Sequence, residues 1–138
     1  MDYNFRFHHL GIATRSIEKY VEIYIKFGYS ASKTIIEPSQ NVKISFLSKS
    51  GSPSIELVQP LVDDSPISRI LQQLGTTPYH ICYEVDDIQQ ASDALEDLNF
   101  RPLFEPMESE AMDKGFFCYF FSVDIGLIEL YQRGDLHK

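Results

Sequence analysis

The chain has 138 residues, 43% hydrophobic and 23% charged, the composition of one globular domain with room for a substantial core and no low-complexity tract. A net charge of −8 argues against nucleic acid or an anionic membrane surface as a partner. No apolar run approaches a membrane span or a signal-peptide core, so the expected location is the cytoplasm.

The residues FHHLGIAT at 7–14 alternate as a strand. Ser16 caps a helix running to about Phe27, with Ile17, Tyr20, Val21, Tyr24 and Phe27 on one face and Glu18, Glu22 and Lys26 opposite. Gly28 ends it. Strands are expected near 29–36, 42–48 and 54–59, with the turn chemistry of SKSGSP between the last two. Ser65, Pro66 and Gly75 then frame a short helix. From Pro78 the order begins again with the strand PYHICYEV. The helix DIQQASDALEDL follows, with Ile88, Ala91, Leu95 and Leu98 inward. Strands near 101–105, 116–122 and 126–132 complete the chain. Cys82 and Cys118 lack CxxC spacing and read as two buried free thiols.

Both halves are therefore βαβββ, and their lengths agree as well as their order. His9 to Tyr29 lies over His80 to Phe100 at a constant offset of 71, and the phrases SIELVQ and LIELYQ lie 73 apart. Two separate stretches in nearly one frame identify an internal repeat. Each half then contributes one histidine near the start of its first strand and one glutamate in its last. Strand alternation puts Leu10 and Ile12 on one face with His8, and His9 on the other above Gly11 and Ala13. It sets Ile55 and Leu57 against the core with Glu56 opposite, and Ile128 and Leu130 against the core with Glu129 opposite. A lone histidine or glutamate in a strand usually has a bland role. Two of each, paired by one repeat, suit a divalent metal of intermediate hardness (Mn, Fe, Co, Ni or Zn) that also offsets the cost of burying two carboxylates.

The motifs HHLGIA, IELVQPLVDDSPI, YHICYEVDDI and GLIELYQ, in this order over about 7–132, resemble the vicinal oxygen chelate (glyoxalase/bleomycin-resistance/dioxygenase) superfamily. Within it the chain is most similar to methylmalonyl-CoA epimerases. The resemblance implies an α+β fold in which two βαβββ modules form a curved mixed sheet around a central metal site. Residues 1–138 would be a single glyoxalase-like domain, with module one at about 1–62, a connecting helix at about 65–74 and module two at about 75–138. It assigns one divalent ion (Mn, Co, Ni, Zn or Fe) to His9, Glu56, His80 and Glu129, with two positions left for substrate oxygens.

The implied activity is that of a metal-dependent epimerase or isomerase using enolate chemistry at a carbon next to a carbonyl or acyl thioester. Glu129 is the candidate catalytic base and Glu56 the second. The implied partner is a small-molecule substrate of the acyl-CoA kind, and relatives are commonly homodimers. A glyoxalase I-like lyase or another enzyme of the superfamily is the alternative reading. A metal-free, resistance-type binding protein is a third, against which the intact ligand positions argue.

Some features depart from the family. Ile44 stands where some epimerases carry a further acidic residue. The stretch PMESEAMDKGFFCYFFSVDIG keeps Lys114-Gly115 but is unusually aromatic, through Phe116, Phe117, Tyr119, Phe120 and Phe121. Arg6, Lys43, Arg101 and Lys114 are available to an anionic ligand without forming a phosphate motif. The RGD tripeptide at 133–135 reads as chance, and His137 as surface beyond the last strand.

Overall fold

Caps start the helices. Ser16 accepts from the Lys19 N–H, Ser65 from the Ser68 N–H and Asp87 from the Gln90 N–H, each from an extended conformation that directs the side chain back at the first turn. In a computed structural model describing residues 3–136, which leaves His137 outside, the elements follow in order. They are β1 (Arg6–Ala13), α1 (Ile17–Lys26), β2 (Ser30–Ala31), β3 (Ile35–Glu37), β4 (Val42–Ser48), β5 (Ser54–Pro60), α2 (Pro66–Leu74) and β6 (Thr77–Glu84). Then come α3 (Ile88–Asp97), β7 (Arg101–Pro102), β8 (Met107–Glu108), β9 (Phe116–Ser122), β10 (Gly126–Gln132) and a 3-10 turn at Gly134–Leu136.

The chain forms two compact units, His9–Tyr79 and Met1–His8 together with His80–Lys138. In the first unit the strands run β2-β4-β5-β1, with β3 also on β4. β1 and β5 are parallel and β4 and β5 antiparallel. The register sets Leu10 beside Ile55 and Ile12 beside Leu57. These residues, with Leu47, pack on Ile17, Tyr20, Val21 and Tyr24 of α1. In the second unit the order is β6-β10-β9-β7, with β8 also on β9. Its core joins Cys118, Phe120 and Leu130 to Val85 and to Ile88, Ala91 and Leu95 of α3.

The hydrogen bonds repeat at the same offsets. The Ile17 N–H donates to Gln59 Oε1 at 2.9 Å, and the Ile88 N–H to Gln132 Oε1 at 2.8 Å. The Thr14 N–H donates to Val58 O at 3.0 Å, and the Val85 N–H to Tyr131 O at 2.8 Å. Past the helices the chain turns through left-handed residues, Gly28 at φ 97° and Asn99 at φ 68°. Tyr29 and Phe100 then donate back to Tyr24 O and Leu95 O at 3.1 and 3.0 Å.

The structure corrects some local expectations. The strand expected at 29–36 is two short pieces, because the Ser32 hydroxyl accepts from the Phe46 N–H at 2.8 Å in place of a backbone carbonyl. The strand expected at 101–105 is only two residues long, in a segment where Pro102 and Pro106 have no N–H to give a ladder. Phe27 and Leu98, expected inward, are 55% and 54% exposed. They are the C-caps, where each N–H bonds back into the last turn and the residue leaves the apolar stripe. Among the described residues, no helix is long and apolar enough to cross a membrane.

Candidate metal centre

Residues paired across two strands share a face, and this fixes where the four candidates point. In the first unit Gly11 stands beside Glu56, so His9, Gly11 and Glu56 occupy the face turned away from α1. His9 Nε2 lies 3.4 Å from Glu56 Oε1. In the second unit Cys82 stands beside Glu129, and His80 Nε2 lies 3.0 Å from Glu129 Oε1. His9 and Glu56 are 0% and 2% exposed, and His80 and Glu129 3% and 1%.

A buried carboxylate is costly unless a donor or a cation meets it. Nitrogen and oxygen donors about 2.1 Å from one ion stand about 3.0 Å apart at right angles and about 3.4 Å apart in a tetrahedron. Both pairs have that spacing, so each fits two neighbouring ligands of a divalent ion.

Each pair also has an aromatic wall, of which the sequence reading named Tyr119 among the aromatic residues of the second half and missed Phe46. Phe46 stands beside Glu56 and Tyr119 beside Glu129. The Phe46 ring meets His9 edge-on at 5.5 Å and 79°, and the Tyr119 ring meets His80 at 5.3 Å and 69°. Running the offset of 73 backwards from the IEL phrases lays Phe46 on Tyr119. His8 packs its ring on Tyr131 at 4.9 Å.

The remaining candidates have other roles. Ile44 is buried beside Val58 on the Glu56 face, and brings no carboxylate there. Arg6 is held by Asp86 at 2.9 Å and Glu84 at 3.4 Å. Lys114 is exposed, 4.0 Å from Glu110. In β9, Cys118 and Phe120 face α3 while Phe117 and Tyr119 take the other face. Phe121 is exposed. Cys82 and Cys118 are buried thiols, as expected, and burial pushes the Cys118 thiol up to about 12.

Residues 8–120 match the Glyoxalase/Bleomycin resistance protein/Dioxygenase superfamily. Human mitochondrial methylmalonyl-CoA epimerase is 33% identical over 111 residues, covering 79% of this chain and 62% of the relative. The ethylmalonyl-CoA/methylmalonyl-CoA epimerase of Cereibacter sphaeroides is 33% identical over 100 residues, covering 71% and 74%. The chain thus spans 62% of the length of the human relative. A variant of the Streptomyces coelicolor methylmalonyl-CoA epimerase, in complex with 2-nitronate-propionyl-CoA, shares the fold. Its TM-score is 0.83 over 96% of this chain and 97% of that one, at 23% identity. From the match over most of its length and from its relatives, the chain belongs to the glyoxalase/bleomycin resistance protein/dioxygenase superfamily and has its α+β fold.

Proposed function

We propose that this chain is a metal-dependent epimerase or isomerase that moves a proton at the carbon next to the carbonyl of an acyl-CoA thioester. The observation that carries the reading is the same buried histidine–glutamate pair, built twice at matched positions of the repeat. In this reading residues 1–138 are one domain, with modules at about 1–62 and 75–138 joined by a helix at about 65–74. The protein works in the cytoplasm as a homodimer. His9, Glu56, His80 and Glu129 would together hold one divalent ion (Mn, Co, Ni, Zn or Fe). Two protein ligands are too few for a firmly held ion, whereas four of this N/O type are enough.

When bound, the ion supplies Lewis acidity to a substrate carbonyl oxygen. His9 and His80 would be its nitrogen donors, each ring met edge-on by an aromatic neighbour. The Glu129 carboxylate takes the proton from the carbon next to the carbonyl and holds it. A proton delivered to the opposite face inverts the carbon, and Glu56, carrying its own proton, is the second carboxyl group available to deliver it while Glu129 keeps the one it took. Ile44 adds none on the Glu56 side. The choice of an acyl-CoA is supported by the relatives, two of which carry the name methylmalonyl-CoA epimerase.

The test is exchange of the α-hydrogen of methylmalonyl-CoA in D₂O. Wild type exchanges it, and Glu129→Gln slows exchange by about 10²–10⁴-fold, the usual size of a general-base contribution. Exchange at the wild-type rate in Glu129→Gln removes this base. Turnover of the glutathione hemithioacetal of methylglyoxal, with none of methylmalonyl-CoA, would move the chain to glyoxalase chemistry.

A further inference from the structure

The two halves repeat each other in backbone, so a position where their side chains differ shows what one half adds. Where the short edge strand meets its neighbour, the first unit sets Ser30 beside Ser48. At the matching place, 71 and 73 residues further on, the second unit sets Arg101 beside Phe121. Ser54 is likewise replaced by Leu127, which stands beside Phe121 across β9 and β10. Three serines thus become an arginine, a phenylalanine and a leucine at one end of one sheet.

This end belongs to the face that carries Glu129. Residues two apart on a strand share a face, and so do residues paired directly across two strands. Leu127 is two residues from Glu129, and Phe121 is two residues from Tyr119, the cross-strand neighbour of Glu129. Arg101 carries the Leu127–Phe121 row to the sheet edge. Phe121 and Arg101 are exposed, so neither fills the core that Cys118 and Phe120 make with α3.

Arg101 also differs from the other arginines. Arg6 and Arg133 both reach Glu84, at 3.4 and 3.7 Å, Arg69 is held by Asp64 at 3.0 Å, and Arg15 donates to Leu71 O at 3.1 Å. Among the described residues, Arg101 has no such partner. Its place on the sheet sets a distance. With β9 between β7 and β10, Arg101 is two strand spacings of about 4.8 Å from β10, and its row is two residues of about 3.4 Å from Glu129. The two backbone positions are therefore about 12 Å apart, and the long arginine side chain reaches further. A pantetheine arm covers that range between its thioester and its first phosphate, with methylene and methyl groups along the way.

We propose that Arg101 and Phe121 bind the part of the acyl-CoA that lies outside the reacting acyl group. Arg101 meets a phosphate, and Phe121 with Leu127 meets the apolar stretch of the arm before it. A guanidinium presents paired donors that match phosphate oxygens, and a serine at the same place presents neither charge nor reach. These contacts are remote from the reacting carbon, so they set affinity and leave the position of the Glu129 carboxylate unchanged. The proposal rests on the epimerase reading above and adds to it the end of the sheet that the CoA arm crosses.

The experiment compares two ligands on the purified protein by calorimetry: propionyl-CoA, and propionyl-pantetheine, which keeps the arm and lacks every phosphate. Arg101→Ser and Phe121→Ser copy the residues at the matching positions of the other half, and circular dichroism checks their fold. Wild type should bind propionyl-CoA about 10-fold more tightly than propionyl-pantetheine, the low end for a hydrogen bond to a charged group because Arg101 is exposed. Arg101→Ser should weaken propionyl-CoA by about the same factor and leave propionyl-pantetheine within about twofold, whereas Phe121→Ser should weaken both. Unchanged propionyl-CoA affinity in Arg101→Ser overturns the proposal, as does an equal loss for both ligands in that variant. Sedimentation tests a rival occupant: a wild-type dimer that separates in Phe121→Ser assigns the face to a second copy of the chain and overturns the proposal as well. A wild type that binds neither ligand overturns the acyl-CoA reading and this proposal with it. That failure is seen before any variant is made, so the two failures are distinct.

Discussion

At the scale of single residues, Gly115 shows how closely the second unit is packed beside β10, the strand that carries Glu129. A Cβ there would stand 2.5 Å from Gln132 O and closer still to the Tyr131 ring. Gly115→Ala is therefore expected to cost about 1–3 kcal/mol, as overpacking of a filled core does. Urea denaturation measures it, and a change within about 0.5 kcal/mol would mean that the Tyr131 ring moves aside freely. Two buried groups give a second residue-scale expectation. Burial pushes Cys118 from 9.0 up to about 12 and Tyr131 from 10.0 up to about 12. The unfolded chain loses these protons near pH 9 and 10, and the folded chain keeps them to about 12. Stability should then be insensitive to these groups below pH 9 and fall as pH rises from about 9 toward 12. Cys118→Ala should make that decline shallower whatever its own cost at neutral pH, and an unchanged slope would contradict the assignment. His9, Glu56, His80 and Glu129 could be singled out from sequence because strand alternation and the repeat both select them. The 73-residue offset pairs Phe46 with Tyr119, but their contacts with the histidine rings were not legible, because alternation gives a face and not the neighbour on that face.

At the scale of elements, each helix is tied to the last strand of its own half by one glutamine. Gln59 and Gln132 stand inside the repeated phrases SIELVQ and LIELYQ, yet the sequence offered no reason to connect them with the starts of α1 and α3. That bond is tertiary, between residues 42 and 44 positions apart, and local propensity carries no trace of it. The Ile88 N–H is the more deeply buried of the two. Gln132→Ala leaves that N–H without its acceptor and should cost about 1–3 kcal/mol, more than Gln59→Ala. Amide exchange at Ile88 reads the loss locally, and protection equal to wild type would show that another acceptor takes over. Helix and strand order were legible because caps, periodicity and turn residues agree along the chain. The breaks at Ser32 and after Pro102 were not, since one follows from a side chain replacing a backbone acceptor and the other from short edge strands.

At the scale of the whole molecule, the repeat accounts for the two buried glutamates with which a metal-free reading has difficulty. Each unit carries one buried histidine–glutamate pair, 3.4 Å apart in one and 3.0 Å in the other, and in the proposed reading the two pairs complete one coordination set. A ligand that binds only the folded chain stabilises it by RT ln(1 + [L]/Kd), about 2.7 kcal/mol at one hundred times Kd. Added Co or Zn should therefore raise the melting temperature of metal-stripped wild type and leave that of Glu56→Ala unmoved. The most direct measurement is the metal content of the protein, purified without chelator and then titrated with Mn, Co, Ni and Zn, alongside His9→Ala and His80→Ala. One ion per chain in the wild type, lost when either histidine is removed, is the result expected if both pairs share a single ion. Two ions per chain, a full complement in His80→Ala, or a wild type that refuses all four metals would contradict it.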